Sequence, residues 1–426
     1  MKKLNVLVFP CGSENAGEIA QALRYSLHVN RLTGASSCED HGRFHFPDYV
    51  GDVPFIHDPA FEAYFRDLLI TRQIDVIFAT HDTVCEKLAG MEDLAGCYLV
   101  NGDPQTTRIA RHKSLTYGLF ADTPWVPTVY VAGTEPQSWP VIVKPDCGQG
   151  GNGVALAHDA DELAQLSAAM ALPVVVEYLP GKEVTVDCFT SRDGKLVWTG
   201  PRTRERIRAG IAMRSQSLTA DEEILTIARE INARLTLRGP WFFQLKQDAN
   251  NRWKLLEISC RVAGTMVAQR AIGVNLPLMT LHDFMGRDVM PLVTPHVAFI
   301  ERAIKTRAYT PLQYEKIYVD LDDTLIINGQ PNPVMMAFLY QSRASGKKIY
   351  LITRHEKKPI DTLNLAAISH LLFDEIIHLQ EKEKKSLHIT GPAIFIDNYF
   401  PERLDVAQRE DVLVLDVDAV DFYLNY

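Results

Sequence analysis

The stretch KIYVDLDDTLI, residues 316–326, places closely spaced carboxylates at the end of an apolar run. Asp320 and Asp322 are two positions apart, so both side chains face the same way if the chain is extended. Paired carboxylates repel each other unless a cation lies between them, and their oxygens are ligands that Mg²⁺ prefers. The pattern predicts a metal site in which one carboxylate attacks phosphorus and the other transfers protons. The structural alternative is that both aspartates cap turns.

Supporting residues follow in chain order. Thr353 ends the strand-like KIYLIT, lysines stand at 382, 384 and 385, and Asp397 lies in AIFIDN. Together with DLDDT, these segments resemble the haloacid dehalogenase superfamily of phosphotransferases, whose first motif is D-x-D-x-T. The resemblance covers about residues 315–426.

That resemblance implies a role for each residue. Asp320 would be the phosphorylated nucleophile, Asp322 the general acid and base, and Thr353 a ligand of the phosphoryl group. Lys385 would neutralise charge, with Lys382 and Lys384 as competing candidates. Asp320, Asp322 and Asp397 would hold Mg²⁺.

Two features of this region modify the expectation. Asn398 stands where the last motif of the family commonly has a second acid, which leaves the number of metal ligands open. The short interval from Thr324 to Thr353 has room for a helix but not for a folded cap. We therefore expect a site without a large cap.

A second group of candidate residues lies upstream. Lys144 ends the strand-like VIVK and precedes PDCGQGGNG, with glycines at 148, 150, 151 and 153. Such a loop lets backbone N–H groups approach a phosphate closely. Glu177 and Glu183 stand at the ends of apolar segments, where carboxylates suit ribose hydroxyls. The segment predicts a phosphate-binding turn, with a merely flexible turn as the alternative.

Further polar residues lie on a predicted hairpin. Gln244 and Glu257 belong to its two strands, and Glu257, Ser259 and Arg261 alternate, so they share a face. A carboxylate with neutral oxygen donors suits Mg²⁺ bridged to phosphates. Arginines at 202, 204, 206 and 208 also alternate. They predict a basic face that clamps a phosphate or a carboxylate, or else lies in solvent.

The order of these parts resembles the ATP-grasp superfamily, especially carboxylate–amine ligases and carbamoyl-phosphate-synthase-like members, over about residues 1–300. It includes RHKSLTYGLFADTPWVPTVYV, residues 111–131, similar to the lysine-bearing helix of that family and the turn after it. The family pattern E-x-N-x-R reads EISCR here, with Ser259 in place of asparagine, and its G-I-P turn reads DTP.

The resemblance implies that ATP and Mg²⁺, or Mn²⁺ in its place, bind this region. The implied nucleotide ligands are Lys113, Lys144, Gly150, Gly151, Glu177, Tyr178, Leu179 and Glu183, with residues 177–179 at the adenine and Glu183 at the ribose. The implied metal ligands are Gln244, Glu257 and Ser259, and Arg261 would stabilise the transferred phosphoryl group. The substrate side is expected at Ser13, Glu14, His81 and Asp82, each of which has a turn or helix cap as its alternative reading.

Short apolar strands alternate with helical patterns at both ends of the chain, which favours α/β architecture. The middle is richer in strands, and Thr219 with Glu222 predicts a capping box before a helix. We predict an α/β and α+β multidomain protein. Its parts are an N-terminal α/β pre-ATP-grasp domain (1–105), an ATP-grasp domain (106–305), a linker (306–316) and a Rossmann-like haloacid-dehalogenase domain (317–426).

Composition limits the class of protein. A net charge of −9 argues against a dedicated nucleic-acid binder, and no apolar run approaches the roughly 18 residues of a membrane span. LNVLVFP is expected to be a first strand rather than a signal peptide. The 7 cysteines are scattered without C-x-x-C spacing, which favours reduced thiols in a cytoplasmic protein over disulfides or a zinc site.

The sequence thus predicts a bifunctional enzyme. An ADP-forming ligase would join a small carboxylate to an amine through an acyl phosphate, and a fused phosphatase would act on a phosphorylated metabolite. The alternatives are a phosphatase with a degenerate or regulatory ATP-binding domain, and a nucleotide-responsive regulator without turnover. The identities of the substrates and the oligomeric state, including a homo-oligomer, stay open.

Overall fold

Residues 3–131, 134–148, 150–208, 210–294 and 296–424 are described by a computed structural model. Contacts divide the chain into two units, Met1–Ala303 and Ile304–Tyr426. Within the described residues, no helix combines the length and the apolar character needed to cross a membrane.

The first unit begins with a five-stranded parallel sheet in the order β3-β2-β1-β4-β5. Val6 and Val8 of the first strand enter one core, whereas Leu7 and Phe9 enter another, so the sheet is covered on both faces. The elements are β1 Leu4–Phe9, α1 Glu14–Leu23, β2 Val29–Ala35, β3 Asp48–Val50, α2 Phe61–Thr71, β4 Val76–Ala79, α3 Asp82–Ala89 and β5 Tyr98–Leu99, with a 3₁₀ turn at His41–Phe44. The predicted first strand is confirmed.

A small antiparallel sheet follows, in the order β6-β9-β7-β8. Its strand β7 lies between two neighbours and ends next to the glycine-rich loop, which leads into β8. The elements of this part are α4 Pro104–Arg111, α5 Lys113–Leu119, β6 Val129–Tyr130, β7 Val141–Pro145, β8 Ala155–Ala157, α6 Ala160–Ala168 and β9 Pro173–Glu177. Lys113 therefore opens a helix, and Lys144 lies near the end of an inner strand.

A second antiparallel sheet completes the unit, in the order β11-β10-β14-β15, beside the three-stranded β12-β13-β16. Ile227 and Ile231 of the long helix α7 pack with Trp241 and Phe243 of β14. The elements are β10 Glu183–Thr190, β11 Leu196–Thr203, β12 Glu205–Arg208, β13 Ile211–Ser215, α7 Glu222–Arg234, β14 Gly239–Gln247, β15 Trp253–Ser259, α8 Val267–Ala271, α9 Leu276–Phe284 and β16 Ile300–Glu301.

The capping box predicted at Thr219 and Glu222 is wrong. Helix α7 begins two residues later than that motif requires, because the Asp221 carboxylate accepts the N–H of Ile224 at 2.8 Å. An aspartate is among the best N-cap residues, so the shift costs the helix nothing.

The predicted row of four arginines on one face is also wrong. Arg206 has φ of 48°, in the left-handed region, which breaks the alternation between β11 and β12. Arg202 is buried and its Nε lies 2.7 Å from Asp187 Oδ2, whereas Arg206 Nη1 lies 2.7 Å from Glu301 Oε1. Each of these guanidiniums therefore has its own carboxylate partner.

The second unit is built on a parallel sheet in the order β21-β20-β17-β22-β23. The strand order reverses beside β17, and such switch points place ligands at the carboxyl ends of the strands. The elements are β17 Lys316–Val319, β18 Ile326–Ile327, β19 Gln330–Pro331, α10 Pro333–Ala344, β20 Lys348–Thr353, α11 Pro359–Leu365, β21 Glu375–His378, β22 Ala393–Ile396, α12 Phe400–Val406 and β23 Val412–Leu415, with 3₁₀ turns at His370–Leu372, Lys385–Leu387 and Val417–Tyr423.

Between Thr324 and Thr353 the described elements are the β18–β19 hairpin, helix α10 and strand β20. At the start of the unit, the Ala308 N–H donates to Phe422 O at 3.0 Å, inside the predicted linker 306–316. The boundaries predicted at 105 and 316 remain predictions, whereas the contacts divide the chain at 303.

Candidate functional site

One cavity of about 570 Å³ in the first unit brings together most of the predicted nucleotide and metal ligands. This volume falls in the range of small-molecule and cofactor sites. The predicted residues that line it are Lys113, Lys144, Gly150, Gly151, Glu177, Tyr178, Leu179, Glu183, Gln244, Glu257 and Arg261. These residues are spread over nearly 150 positions of the chain, and the two antiparallel sheets bring them together.

The two lysines differ in how they are held. The buried Lys144 Nζ donates to the Tyr117 hydroxyl at 2.7 Å, and that hydroxyl donates to Leu256 O at 2.7 Å. Lys113 Nζ lies 3.4 Å from Asp146 O. Burial and the nearby Lys113 charge lower the pKa of Lys144 to about 7, although Glu257 opposes the shift. Lys144 is therefore poised to gain a proton when an anion binds beside it.

The glycine-rich loop lies directly against a second loop. Gly150, Gly151 and Gly153 have φ of 59°, 75° and 76°, where side chains are strained. Gly210 also has a positive φ, and a Cβ added there would lie 2.0 Å from Gly150 O. The two backbones approach so closely that only glycine fits at this crossing.

The pair predicted to hold a metal lies on adjacent strands. Gln244 of β14 is directly opposite Glu257 of β15, next to an irregularity in the register. Within the described part of the chain, neither side chain makes a hydrogen bond or an ion pair, and both line the cavity. Oxygen donors with no protein partner, at the wall of a cavity with two lysines, fit Mg²⁺.

Ser259 and Arg261 are engaged elsewhere. The Ser259 hydroxyl donates to Asp82 Oδ1 at 2.5 Å, and Arg261 Nη2 lies 2.9 Å from Asp82 Oδ2. Arg261 lines the main cavity, whereas Ser259 and Asp82 line a smaller one beside it. Ser259 therefore shares the smaller cavity with Glu257 and Arg261, which line both cavities, but not with Gln244.

The predicted adenine and ribose ligands also line the cavity. Glu177 is the last residue of β9, and Tyr178 and Leu179 follow directly after it. Glu177 Oε1 accepts the N–H of Thr128 at 2.7 Å. Glu183 Oε1 lies 2.6 Å from Arg204 Nε. On the substrate side, Ser13, Glu14 and His81 line the cavity and Asp82 does not.

The second unit has its own charged cluster at the carboxyl end of the central strand. Asp320 and Asp397 directly follow the neighbouring strands β17 and β22, and both are buried. Lys385 Nζ lies 2.6 Å from Asp320 Oδ1 and 2.6 Å from Asp397 Oδ2. Burial raises the pKa of Asp320 to about 6, against the attraction of Lys385. Of the competing lysines, Lys384 is exposed and bonds to Asp405 at 2.8 Å.

Asp322 and Thr353, the other residues predicted for this cluster, contact His355 rather than Lys385. Both oxygens of the half-exposed Asp322 face His355 Nδ1, at 2.9 and 3.0 Å. Thr353 is buried, and its hydroxyl accepts the His355 N–H at 3.2 Å. Asn398 donates its N–H to the Thr324 hydroxyl at 3.1 Å, which in turn donates to Asn398 Oδ1.

Comparison with known proteins bears on the first unit. Residues 170–306 match a family model described as ATP-grasp in the biosynthetic pathway with Ter operon. A solved biotin carboxylase domain of 2-oxoglutarate carboxylase from Hydrogenobacter thermophilus superposes with a TM-score of 0.56 at 13% identity, over 68% of this chain and 71% of that one. The chain has an ATP-grasp fold.

Two other solved structures are similar to the same extent. An L-amino acid ligase from Bacillus licheniformis has a TM-score of 0.54 at 17% identity, over 70% of this chain and 77% of that one. N5-carboxyaminoimidazole synthetase from Staphylococcus aureus, complexed with ADP, has a TM-score of 0.55 at 15% identity, over 68% and 80%. A search of curated proteins found no match.

Sequence reasoning missed several residues around the ATP-grasp cavity and the second cluster. Tyr117 follows Lys113 by four positions on α5, a spacing that places both on one helix face. Lys246 follows Gln244 by two on β14 and also lines the cavity. His355 follows Thr353 by two, at the end of β20. Periodicity could have found all three, whereas the pairing of Arg202 with Asp187 required the fold, because Asp187 lies on another strand.

Proposed function

We propose that the chain is a bifunctional enzyme. Its ATP-grasp unit would be an ATP- and Mg²⁺-dependent ligase that joins a small carboxylate to an amine. Its second unit would be a Mg²⁺-dependent phosphatase of the haloacid dehalogenase type that uses an aspartyl-phosphate intermediate. The observation that carries the ligase is the convergence of Lys113, Lys144, Gln244, Glu257 and Arg261 on one cavity.

Each side of the ATP-grasp cavity has a task in the proposed ligase. The two lysines and the glycine-rich loop would hold the phosphates of ATP, and residues 177–183 the nucleoside. Gln244 and Glu257 would hold Mg²⁺, which supplies neutralisation of phosphate charge when bound. Arg261 is fixed by Asp82 beside this pair, so its guanidinium is oriented to stabilise a phosphoryl group in transfer.

The proposed reaction proceeds in two steps. The substrate carboxylate attacks the γ-phosphorus of ATP to give an acyl phosphate and ADP. The amine then attacks the acyl carbon, and phosphate leaves. Because little covalent chemistry falls to the protein, catalysis depends on positioning and on fixed charge in the cavity. Ser13, Glu14 and His81, at the wall formed by α1 and α3, are proposed to select the carboxylate or the amine.

The proposed phosphatase rests on the cluster around Lys385. Its ammonium, bonded to Asp320 and Asp397, orients both carboxylates and offsets part of their charge. Three aspartates with one buried lysine leave negative charge that suits Mg²⁺. Asp320 would attack phosphorus, and Asp322, bonded to His355, would protonate the leaving oxygen and later activate water.

Matched isosteric variants test both halves in the full chain. We would screen pairs of amino acids and small carboxylates for ADP release, and a panel of phosphorylated metabolites with p-nitrophenyl phosphate for phosphate release. Glu257→Gln should abolish ADP formation and keep phosphatase activity, whereas Asp320→Asn should do the reverse. Each variant is thus the folding control for the other.

Other outcomes would replace parts of the proposal. ATP binding without formation of ADP or phosphate over the whole panel would mean that the ATP-grasp unit is regulatory. Phosphate release that survives Asp320→Asn would remove the aspartyl-phosphate assignment.

A further inference from the structure

A cluster of three metal-binding side chains lies beside the glycine-rich loop and has no part in the proposed ligase. The ligand atoms of His112, Asp146 and Cys147 all lie within 4.8 Å of one another. His112 Nδ1 is 2.8 Å from Asp146 Oδ2 and 3.2 Å from Cys147 Sγ. His112 joins α4 to α5, whereas the other two follow strand β7, so the fold brings together residues 34 positions apart.

The three side chains can share hydrogen bonds, since one imidazole N–H can be divided between the carboxylate and the thiol. A cation, in contrast, is held by all three atoms at once. Zn²⁺ bonds of about 2.0–2.3 Å in tetrahedral geometry put ligand atoms roughly 3.3–3.7 Å apart. The observed separations of 2.8 and 3.2 Å need to open by less than 1 Å.

Neighbouring groups hold two of these ligands in place. Asp146 Oδ1 accepts the Ser114 N–H at 2.7 Å, which leaves Oδ2 facing His112. Glu86 Oε1 lies 3.5 Å from His112 Nε2, and Cys147 Sγ, 3.7 Å from the same nitrogen, would have to swing toward Nδ1 to share an ion with it. A carboxylate on the far nitrogen of an imidazole is the usual way that a protein orients a metal-binding histidine.

We propose that His112, Asp146 and Cys147 form a site for a divalent transition metal ion, with Zn²⁺ as the expected occupant and Co²⁺ as a substitute. Thiolate and imidazole ligands select such ions over Mg²⁺, which prefers oxygen, so the site is distinct from Gln244 and Glu257. Because His112 precedes Lys113 and Asp146 lies two residues after Lys144, the ion would tie the start of α5 to the end of β7. It would thereby fix the spacing of the two lysines.

Titration of the metal-free full chain with Co²⁺, without nucleotide, tests the site. Wild type should bind one equivalent with visible bands of tetrahedral cobalt and a thiolate-to-cobalt charge-transfer band. Cys147→Ser should lose the charge-transfer band, and Asp146→Asn should weaken binding by roughly tenfold or more, since each change removes an anionic ligand. Cys38→Ser, which removes an exposed thiol elsewhere, should behave like wild type.

Thermal unfolding supplies a second measurement. Added Zn²⁺ should raise the Tm of wild type and of Cys38→Ser, and should leave that of Cys147→Ser unchanged. Circular dichroism of the metal-free variants shows whether each one is folded. If Cys147→Ser is unfolded, Asp146→Asn is used in its place. The proposal is overturned if wild type gives no charge-transfer band, or if the band persists in folded Cys147→Ser. Neither result depends on the ligase, because no nucleotide is present.

Discussion

At the scale of single residues, Lys144 links burial to ligand binding. Its pKa is lowered to about 7 by burial, with Lys113 adding repulsion, so most of it is neutral at pH 8. Only the charged form attracts phosphate, and its fraction falls about tenfold for each pH unit above 7. We expect the Kd for Mg²⁺–ADP to increase as the pH is raised from 7.5 to about 9. At pH 8, binding should be accompanied by the uptake of nearly one proton. Calorimetry in buffers of different ionisation enthalpy measures that uptake.

Two lysine-to-arginine changes provide the controls for this prediction. Lys144→Arg keeps its charge at every pH, so proton uptake should disappear and the Kd should become nearly independent of pH. Lys246→Arg makes the same change at the same cavity, near Glu183, and should preserve the wild-type pH dependence. A wild-type Kd that stays constant over this range, with no proton uptake, would contradict the role given to Lys144.

At the scale of elements, the contact between two glycine loops shapes the side of the cavity that is proposed to hold phosphate. A Cβ at Gly210 would lie 2.0 Å from Gly150 O, so Gly210→Ala must displace the glycine-rich loop. Losing one backbone donor to phosphate is worth about 1.4 kcal/mol, or roughly tenfold in the Kd for Mg²⁺–ADP. Calorimetric titration of the variant measures this loss.

Gly194→Ala is the matched control for that change. Gly194 has nearly the same φ, 74° against 75° at Gly210, but a Cβ there meets nothing within 4 Å. Both variants should lose about 1 kcal/mol of stability from backbone strain, and only Gly210→Ala should bind nucleotide more weakly. Equal Kd values in the two variants would show that the loop contact does not shape the site.

The same elements show how far the sequence alone could go. Strand alternation was enough to place Gln244 and Glu257 on the two strands of one hairpin, but the register that puts them directly opposite each other, beside an irregularity, came from the fold. It failed for the arginines, since the left-handed residue Arg206 interrupts the strand and no side-chain pattern marks that break. The cluster at His112 was invisible for another reason: its members are far apart in the chain, and only the packing of α5 against the end of β7 joins them.

At the scale of the whole molecule, the chain contains two units that each bury their own core. In the second unit, Ile317, Val319, Phe338 and Ile394 belong to one buried cluster, and Tyr318 on the other face of β17 belongs to a second. A parallel sheet with both faces covered is the minimum that such a domain needs to fold alone. We expect fragment 304–426 to unfold cooperatively and, if the proposed phosphatase assignment holds, to keep that activity.

Two fragments with different first residues test where the second unit begins. The contacts place its start at residue 304, whereas the sequence predicts 317. A fragment starting at residue 317 loses the hydrogen bonds from Ala308 to Phe422, 3.0 Å, and from Lys347 to Tyr314, 2.5 Å, together with the packing of the Tyr314 ring. These losses total roughly 2–3 kcal/mol. Fragment 317–426 should therefore melt about 9–13 °C below fragment 304–426. Equal melting temperatures would place residues 304–316 outside the folded unit, as the sequence alone suggested.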